Sequence, residues 1–138
     1  MRVVIDTNIF LSACLSAVAA NKVLEVCLEG KCLPLMGAAL FTEYEDILTR
    51  TELFKSSLLN HEEREELLDI FLASCEWIKV YYLWRPNLPD ERDNHLIELA
   101  VAGAADYIVT RNLRDISGGE LSFPQLKIVS PETFLKEI

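Results

Sequence analysis

Residue types that build zinc sites and phosphate-binding loops are scarce in this sequence. There are two histidines, His61 and His95, and none of the four cysteines forms a CxxC pair, so the spacing of a zinc site is absent. Gly118 and Gly119 are adjacent, but Glu120 follows them and no phosphate-loop pattern surrounds them. These absences exclude a zinc finger and a glycine-rich nucleotide-binding loop.

Basic residues are also in short supply. Lysine and arginine number 13 against 22 aspartates and glutamates, which gives a net charge of −9. A protein of this charge does not hold nucleic acid by electrostatic attraction alone, although a bound metal ion reverses the sign at a local site. With 51% hydrophobic and 25% charged residues, the 138-residue chain is predicted to fold as one domain, spanning residues 1–138.

No apolar run near the start of the chain has the length of a membrane span. Residues 9–20 are free of charge, but a span needs about 20 apolar residues. Arg2 is the one basic residue before this run, and Asp6 and Asn8 lie between them, which is atypical of a signal peptide. The cysteines lie in apolar segments and are predicted to be reduced. We therefore predict a cytoplasmic protein that does not enter a membrane.

Short strand-like runs, such as the apolar and β-branched residues 3–5, alternate with segments of helical period along the chain. Strands are predicted at residues 3–5, 32–36, 77–82, 107–109 and 127–129. Helices are predicted at residues 17–29, 38–50, 90–103, after the capping-box pair Asn60 and Glu63, and after Ser130-Pro131. Pro34 is typical of an edge strand. The pattern predicts an α/β/α sandwich around a five-stranded parallel sheet, with its site at the carboxyl ends of the strands.

Three carboxylates stand where the pattern favours apolar or neutral residues. Asp6 ends the first buried strand, and Glu43 falls on the apolar stripe that includes Leu40 and Ile47. Asp93 lies on the inward face of its helix, in the first turn. A structural role remains open for each of the three. Asp6 could form a turn, Glu43 could reach solvent at the rim of its stripe, and Asp93 could be an acid favoured by the helix dipole.

The acids are predicted to form a metal site. Neither histidine is expected to join them, because His95 is predicted to point away from the inward face and His61 lies in an acidic, exposed first turn. A cluster of oxygen ligands without histidine or cysteine suits Mg²⁺ or Mn²⁺. Metal ions held by carboxylates most often serve phosphate chemistry.

Four blocks of the sequence together resemble the PIN domain family. In chain order they are residues 3–10 (VVIDTNIF), Glu43-Tyr44 ahead of Ile47-Leu48, Asp93 ahead of residues 96–100, and residues 105–112 (ADYIVTRN). The similarity covers nearly the whole chain. It is strongest to the small prokaryotic VapC-like proteins, which are the toxins of toxin–antitoxin pairs.

The resemblance implies a metal-dependent ribonuclease. Asp6, Glu43 and Asp93 match the acids that hold Mg²⁺ or Mn²⁺ in the family, Asn8 matches an asparagine that orders the site loop, and Thr110 matches a hydroxyl at the site edge. The implied partners are an RNA substrate, an antitoxin protein and a second copy of the chain in a homodimer.

One position departs from the family pattern. Many members carry an acid where this chain has Asn112, and the nearest acid here is Asp115. Arg111 and Arg114 are candidate phosphate contacts, although a solvated loop explains them equally well.

Two other functions remain open. An aspartyl phosphatase commonly needs a second acid two residues after the nucleophile, where this chain has Asn8. A PIN-like module that binds protein without catalysis would account for Asn112 in place of an acid.

Overall fold

A computed structural model describes residues 1–80, 94–113 and 125–138 of the chain. Its strands are β1 (Arg2–Ile5), β2 (Leu33–Met36), β3 (Glu76–Trp77), β4 (Tyr107–Val109) and β5 (Lys127–Val129). Its helices are α1 (Thr7–Cys14), α2 (Val18–Leu28), α3 (Ala38–Thr49), α4 (His61–Ala73), α5 (Asn94–Ala102) and α6 (Pro131–Glu137), with a short 3-10 helix at Thr51–Phe54.

The strands form one five-stranded sheet in the order β3-β2-β1-β4-β5, and every neighbouring pair is parallel. This confirms the predicted α/β architecture. β1 lies at the centre, where Val3, Val4 and Ile5 are buried, and Ile5 pairs with Val109 at the carboxyl end. The side chains that follow Ile5 and Val109 therefore lie side by side at that edge of the sheet.

Pro34 does not mark an edge strand, because β2 pairs with both β1 and β3. The Leu33 N–H donates to the Met1 carbonyl, on the β1 side. The nitrogen of the next residue, Pro34, therefore faces the β3 side, where pairing begins only at Leu35. The N–H that proline lacks would therefore point to a position where β3 does not yet pair with β2.

Helix α1 is absent from the sequence prediction, which assigned only a charge-free run to this segment. It begins directly after Asp6, and its residues Ile9, Phe10, Ala13 and Cys14 are buried. The helix carries no charged residue, so Asn8 and Ser12, one turn apart on its less buried side, are weak markers of a helical period. No single helix in the described ranges is long and apolar enough to cross a membrane, while the pair α1 and α2, bent by 110°, matches that length and composition together.

Other boundaries agree with the prediction in part. The Asn60–Glu63 capping box is present at the start of α4, and Ser130 caps α6. β3 is shorter than predicted and begins at Glu76. The predicted loop at residues 85–90, the start of the fourth predicted helix at Asp90, and most of the polar loop after Arg111 lie outside the described residues.

An aromatic cluster fixes α3 against the end of β1. Tyr44 is buried, with its ring centroid 5.5 Å from that of Phe10 and 5.8 Å from that of Phe71. Its hydroxyl donates a 2.7 Å hydrogen bond to the Ile5 carbonyl. Glu43, the residue before Tyr44, is thereby held next to the carboxyl end of β1.

Candidate active site

Asp6 is the centre of a polar cluster at the carboxyl edge of the sheet. Its N–H donates to the Val109 carbonyl at 3.0 Å, so it continues the pairing of β1 with β4. The side chain is buried, with only 4% of the residue exposed. Its Oδ2 atom accepts hydrogen bonds from Thr110 Oγ1 at 2.7 Å and from Asn8 Nδ2 at 3.2 Å.

Thr110 and Asn8 join the two strand ends. Thr110 is fully buried, and its Oγ1 accepts from the Asn112 N–H at 2.9 Å while it donates to Asp6. Asn8 Oδ1 accepts from the Arg111 N–H at 3.2 Å. Asn8 Nδ2 also donates to Thr110 Oγ1 at 3.4 Å, so both ends of the Asn8 amide fix the chain after β4 to the start of α1.

Glu43 is held at both carboxylate oxygens. Oε1 accepts a 2.9 Å hydrogen bond from Thr7 Oγ1, and Oε2 lies 2.6 Å from His95 Nε2. The same Thr7 hydroxyl lies 3.4 Å from Asp6 Oδ1, so one side chain touches both acids. The Glu43 side chain is 33% exposed, which places it at the rim of its stripe rather than fully inside.

The prediction that His95 points away from the acids is wrong. His95 shares its face of α5 with Leu99, four residues on, and Leu99 packs against the start of α3: a Cβ built on Gly37 would lie 3.2 Å from Leu99 Cδ1. α5 therefore buries one face against the sheet and a second against α3. In the sequence, the apolar Leu99 four positions after His95 indicated that this second face is buried. Thr7 is a further site residue that the sequence reasoning missed.

Burial dominates the electrostatics of Asp6. Loss of hydration raises the pKa of Asp6 above its ordinary value of 3.8, and the Thr110 hydrogen bond opposes this shift. The nearby Glu43 carboxylate raises the Asp6 pKa further, because like charges disfavour ionisation, whereas the Thr7 backbone and His95 act the other way. Two acids that raise each other's cost of ionisation are suited to a cation between them.

The other predicted site residues lie at the edge of this cluster or outside the described ranges. Arg111 pairs with Glu132 in the first turn of α6 and lowers the pKa of that carboxyl. Asn112 lies beside Thr110 through its backbone N–H. Asp93, Asp115 and Arg114 are among the residues that the structure does not describe.

A metal ion fits the donors that are present. Within residues 1–80, 94–113 and 125–138, no three His, Cys, Asp or Glu side chains converge as a metal-binding group. Asp6 and Glu43 nevertheless supply two carboxylates bridged by Thr7, the kind of hard oxygen donor that Mg²⁺ and Mn²⁺ prefer. The donor chemistry is therefore compatible with such an ion.

An apolar cavity of about 590 Å³ opens beside His95. Trp77, Val80 and Leu99 form much of its wall, and the buried Glu98 contributes to it. Trp77 is 52% exposed, and its ring meets the edge of Phe41 at 5.4 Å between centroids. The polar cluster thus borders a volume in the range of small-molecule sites.

The fold and the cluster define an α/β protein whose paired acids lie at the carboxyl edge of a parallel sheet. A family model described as PIN domain matches residues 2–114, and the chain belongs to this family. Among solved structures it is similar to VapBC2 from Rickettsia felis bound to a DNA fragment from their promoter. That likeness has a TM-score of 0.61 and 19% identity, covers 94% of this chain and 98% of that chain, and shows the fold. No curated protein matches the chain.

Proposed function

We propose that this protein is a metal-dependent ribonuclease that hydrolyses RNA phosphodiester bonds and acts as the toxin of a toxin–antitoxin pair. Membership in the PIN domain family supports this function. The observation that carries it is the buried Asp6 carboxylate beside Glu43 at the carboxyl end of β1, with Thr7 between them.

Asp6, Glu43 and Asp93 are the proposed ligands of Mg²⁺ or Mn²⁺. Asp93 enters this set through its match to the family pattern, since it lies outside the described residues. Such an ion lowers the pKa of a bound water and neutralises charge on the scissile phosphate.

The protein's own groups have separate roles in this reaction. Thr110 and Asn8 hold the Asp6 carboxylate by donating to Oδ2, and Thr7 holds Glu43 through Oε1. A water attacks the phosphorus in line with the leaving 3′-oxygen, and Glu43 or Asp93 takes the proton that this water loses. The bond from phosphorus to the 3′-oxygen breaks as the new bond to the water oxygen forms.

The cavity beside His95 supports RNA as the substrate. Proteins recognise single-stranded RNA by stacking unpaired bases on aromatic side chains. Trp77 offers a half-exposed ring in the cavity wall, within the same volume that His95 borders. We propose that a base next to the scissile phosphate occupies it. The chain carries a net charge of −9, so its overall charge does not attract the RNA backbone. In this proposal, base stacking and the metal ion bind the RNA instead.

The proposed protein partners are an antitoxin and a second copy of this chain. The similar solved structure is of VapBC2 bound to promoter DNA, which supports an antitoxin partner. Size-exclusion chromatography with light scattering tests the homodimer, and co-purification with the product of an adjacent small gene tests the antitoxin.

A cleavage assay on single-stranded RNA tests the nuclease. We expect activity with Mn²⁺ or Mg²⁺, none in EDTA, and recovery on adding back the ion. Glu43→Gln and Asp93→Asn are expected to abolish cleavage. Glu45→Gln, an exposed change on the same helix as Glu43, is the matched control and leaves activity intact. Full activity in EDTA, or in Glu43→Gln, would contradict the proposal.

The two alternative functions give different results in the same preparation. Asn8 Nδ2 donates to Asp6 Oδ2, so the second position carries an amide donor where an aspartyl phosphatase needs an acid. A phosphorylated Asp6 would restore that alternative. A module that only binds protein would take up no metal in calorimetry and cleave no RNA.

A further inference from the structure

We propose that His95 is a positioning residue of the metal centre, which holds Glu43 in a ligand-ready orientation by donating a hydrogen bond from Nε2 to Oε2. This inference rests on the proposed metal site and extends it to a residue of different chemistry. The contact is 2.6 Å long and joins His95 of α5 to Glu43 of α3, two residues that are 52 positions apart in sequence.

The hydrogen atom of this contact is assigned by the chemistry of its partners. An ionised carboxylate only accepts hydrogen bonds, so Nε2 of His95 carries the hydrogen. Thr7 donates to the other oxygen of Glu43, at 2.9 Å. Each carboxylate oxygen has two acceptor sites, so a hydrogen bond from His95 does not by itself prevent Glu43 from binding a metal ion.

The imidazole is itself held in place. The His95 side chain is 17% exposed, and its Nδ1 atom is buried with no hydrogen-bond partner in the structure of the described ranges. The hydrogen bond to Glu43 and the burial of the side chain therefore orient the ring. His61, by contrast, is 52% exposed and pairs with Glu65 one turn along its own helix. His95 thus contacts a residue of another helix, whereas His61 pairs with a residue of its own helix.

Preorganisation is the physical benefit of the His95 contact. A glutamate loses rotamer freedom when its side chain is fixed, and this loss is a free-energy cost of binding a metal ion. Thr7 and His95 meet part of that cost on folding, before any ion arrives. Side chains that hold metal ligands in this way typically change metal affinity by about 10–100-fold when they are removed.

A positioning role is distinguishable from direct ligation by nitrogen. Because Nε2 carries the hydrogen, it has no lone pair for an ion while it holds Glu43. The oxygen donors then set the metal preference, and loss of His95 should weaken Mg²⁺ and Mn²⁺ binding by the same factor. A nitrogen ligand would instead favour Mn²⁺ over Mg²⁺ and its loss would weaken Mn²⁺ binding more.

Calorimetric titration of Mn²⁺ and of Mg²⁺ into the full chain is the test. His95→Leu is expected to weaken both ions by about 10–100-fold. His95→Gln places an amide N–H near the position of Nε2 and is expected to restore affinity close to wild type. His61→Gln is the matched control and leaves both affinities unchanged. Circular dichroism and the Tm without metal report whether each variant folds.

Three outcomes overturn the inference in different ways. Unchanged affinity in a folded His95→Leu shows that the contact does not affect the site, while the proposed nuclease stands. A loss in His95→Gln that is larger for Mn²⁺ than for Mg²⁺ shows a nitrogen ligand. A wild-type chain that binds neither ion removes both the inference and the proposed function.

A spectrum of the metal-free protein provides a second test that no variant can confound by unfolding. Long-range ¹H–¹⁵N correlations of the histidine rings report which nitrogen carries the hydrogen. We expect the hydrogen of His95 on Nε2. A His95 ring with its hydrogen on Nδ1 alone would overturn the positioning role, because it could not donate to Glu43.

Discussion

Thr110 donates a 2.7 Å hydrogen bond to Asp6 although 104 residues separate the two in sequence. They meet because β1 and β4 are neighbours and both strands end at the same level. Their contact offsets part of the cost of burying a carboxylate, since a hydrogen bond to the charged form favours ionisation. The geometry of the site therefore depends on the pairing of β1 with β4.

Asp6→Asn is expected to abolish RNA cleavage while the metal-free protein becomes as stable as wild type or more so. The asparagine oxygen can accept from Thr110 and Asn8 as Oδ2 does, and the repulsion by Glu43 disappears. Urea unfolding in EDTA and the cleavage assay measure the two effects. A variant that unfolds, or one that still cleaves RNA, would show that Asp6 is structural.

The pH dependence of that stability difference follows from the sign of the Asp6 shift. The pKa of Asp6 is raised above 3.8 in the folded chain, so the folded state keeps a proton that the unfolded state has lost. The stability of metal-free wild type therefore falls as pH rises from about 4 through the folded pKa. Asp6→Asn lacks this titration.

The advantage of Asp6→Asn over wild type should accordingly grow as pH rises through this window and then level off. Free energies of unfolding in urea, measured for both chains from acid to neutral pH, check it. Comparing the two chains cancels the titration of the acids that do not interact with Asp6. A difference that stays constant with pH would mean that the Asp6 pKa is not raised by folding.

Thr110→Val removes a hydroxyl from a fully buried position without changing the shape of the side chain much. Asp6 loses its shortest donor, and the Asn112 N–H loses its acceptor. We expect a loss of about 1–3 kcal/mol in the free energy of unfolding and weaker RNA cleavage. Thr110→Ser keeps the hydroxyl and should retain activity. Equal behaviour of the two variants would assign the effect to packing instead.

Asn112→Asp tests the position where many PIN proteins carry an acid. Asn112 lies at the rim of the cluster through its hydrogen bond to Thr110, so a carboxylate there adds charge near Asp6. Metal affinity rises with the number of charged ligands, and we expect tighter Mn²⁺ binding by calorimetry. Asp115→Asn should weaken binding only slightly. The reverse pattern would assign the fourth ligand position to Asp115.

The fold was predictable because its signals are local. The buried strands are short apolar runs, such as Val3 to Ile5, and turn or capping residues such as Asn60 and Ser130 separate the elements. α1 was not predicted because it carries no charged residue, and Asn8 and Ser12 mark its less buried side only weakly. The position of β2 inside the sheet, despite Pro34, depends on where β3 begins to pair, which no local pattern encodes.

The site was predictable where it follows from strand ends and not where it depends on helix packing. Asp6, Asn8 and Thr110 come together because β1 and β4 pair in register. The approach of His95 to Glu43 depends on how closely α5 packs on α3 at Gly37, a contact between segments far apart in sequence. The direction of a side chain at such a contact is set only when the two helices pack together, so the local sequence does not predict it.

The central position of β1 has a consequence for the order in which the protein assembles during synthesis. A growing chain that has made α3 already contains Asp6 and Glu43, but it lacks β4, which pairs with β1 and supplies Thr110. Thr110 in turn donates its N–H to the Val129 carbonyl, close to the end of the chain. Asp6 and Glu43 are therefore synthesised early, but the hydrogen bond from Thr110 to Asp6 can form only after β4 has been made.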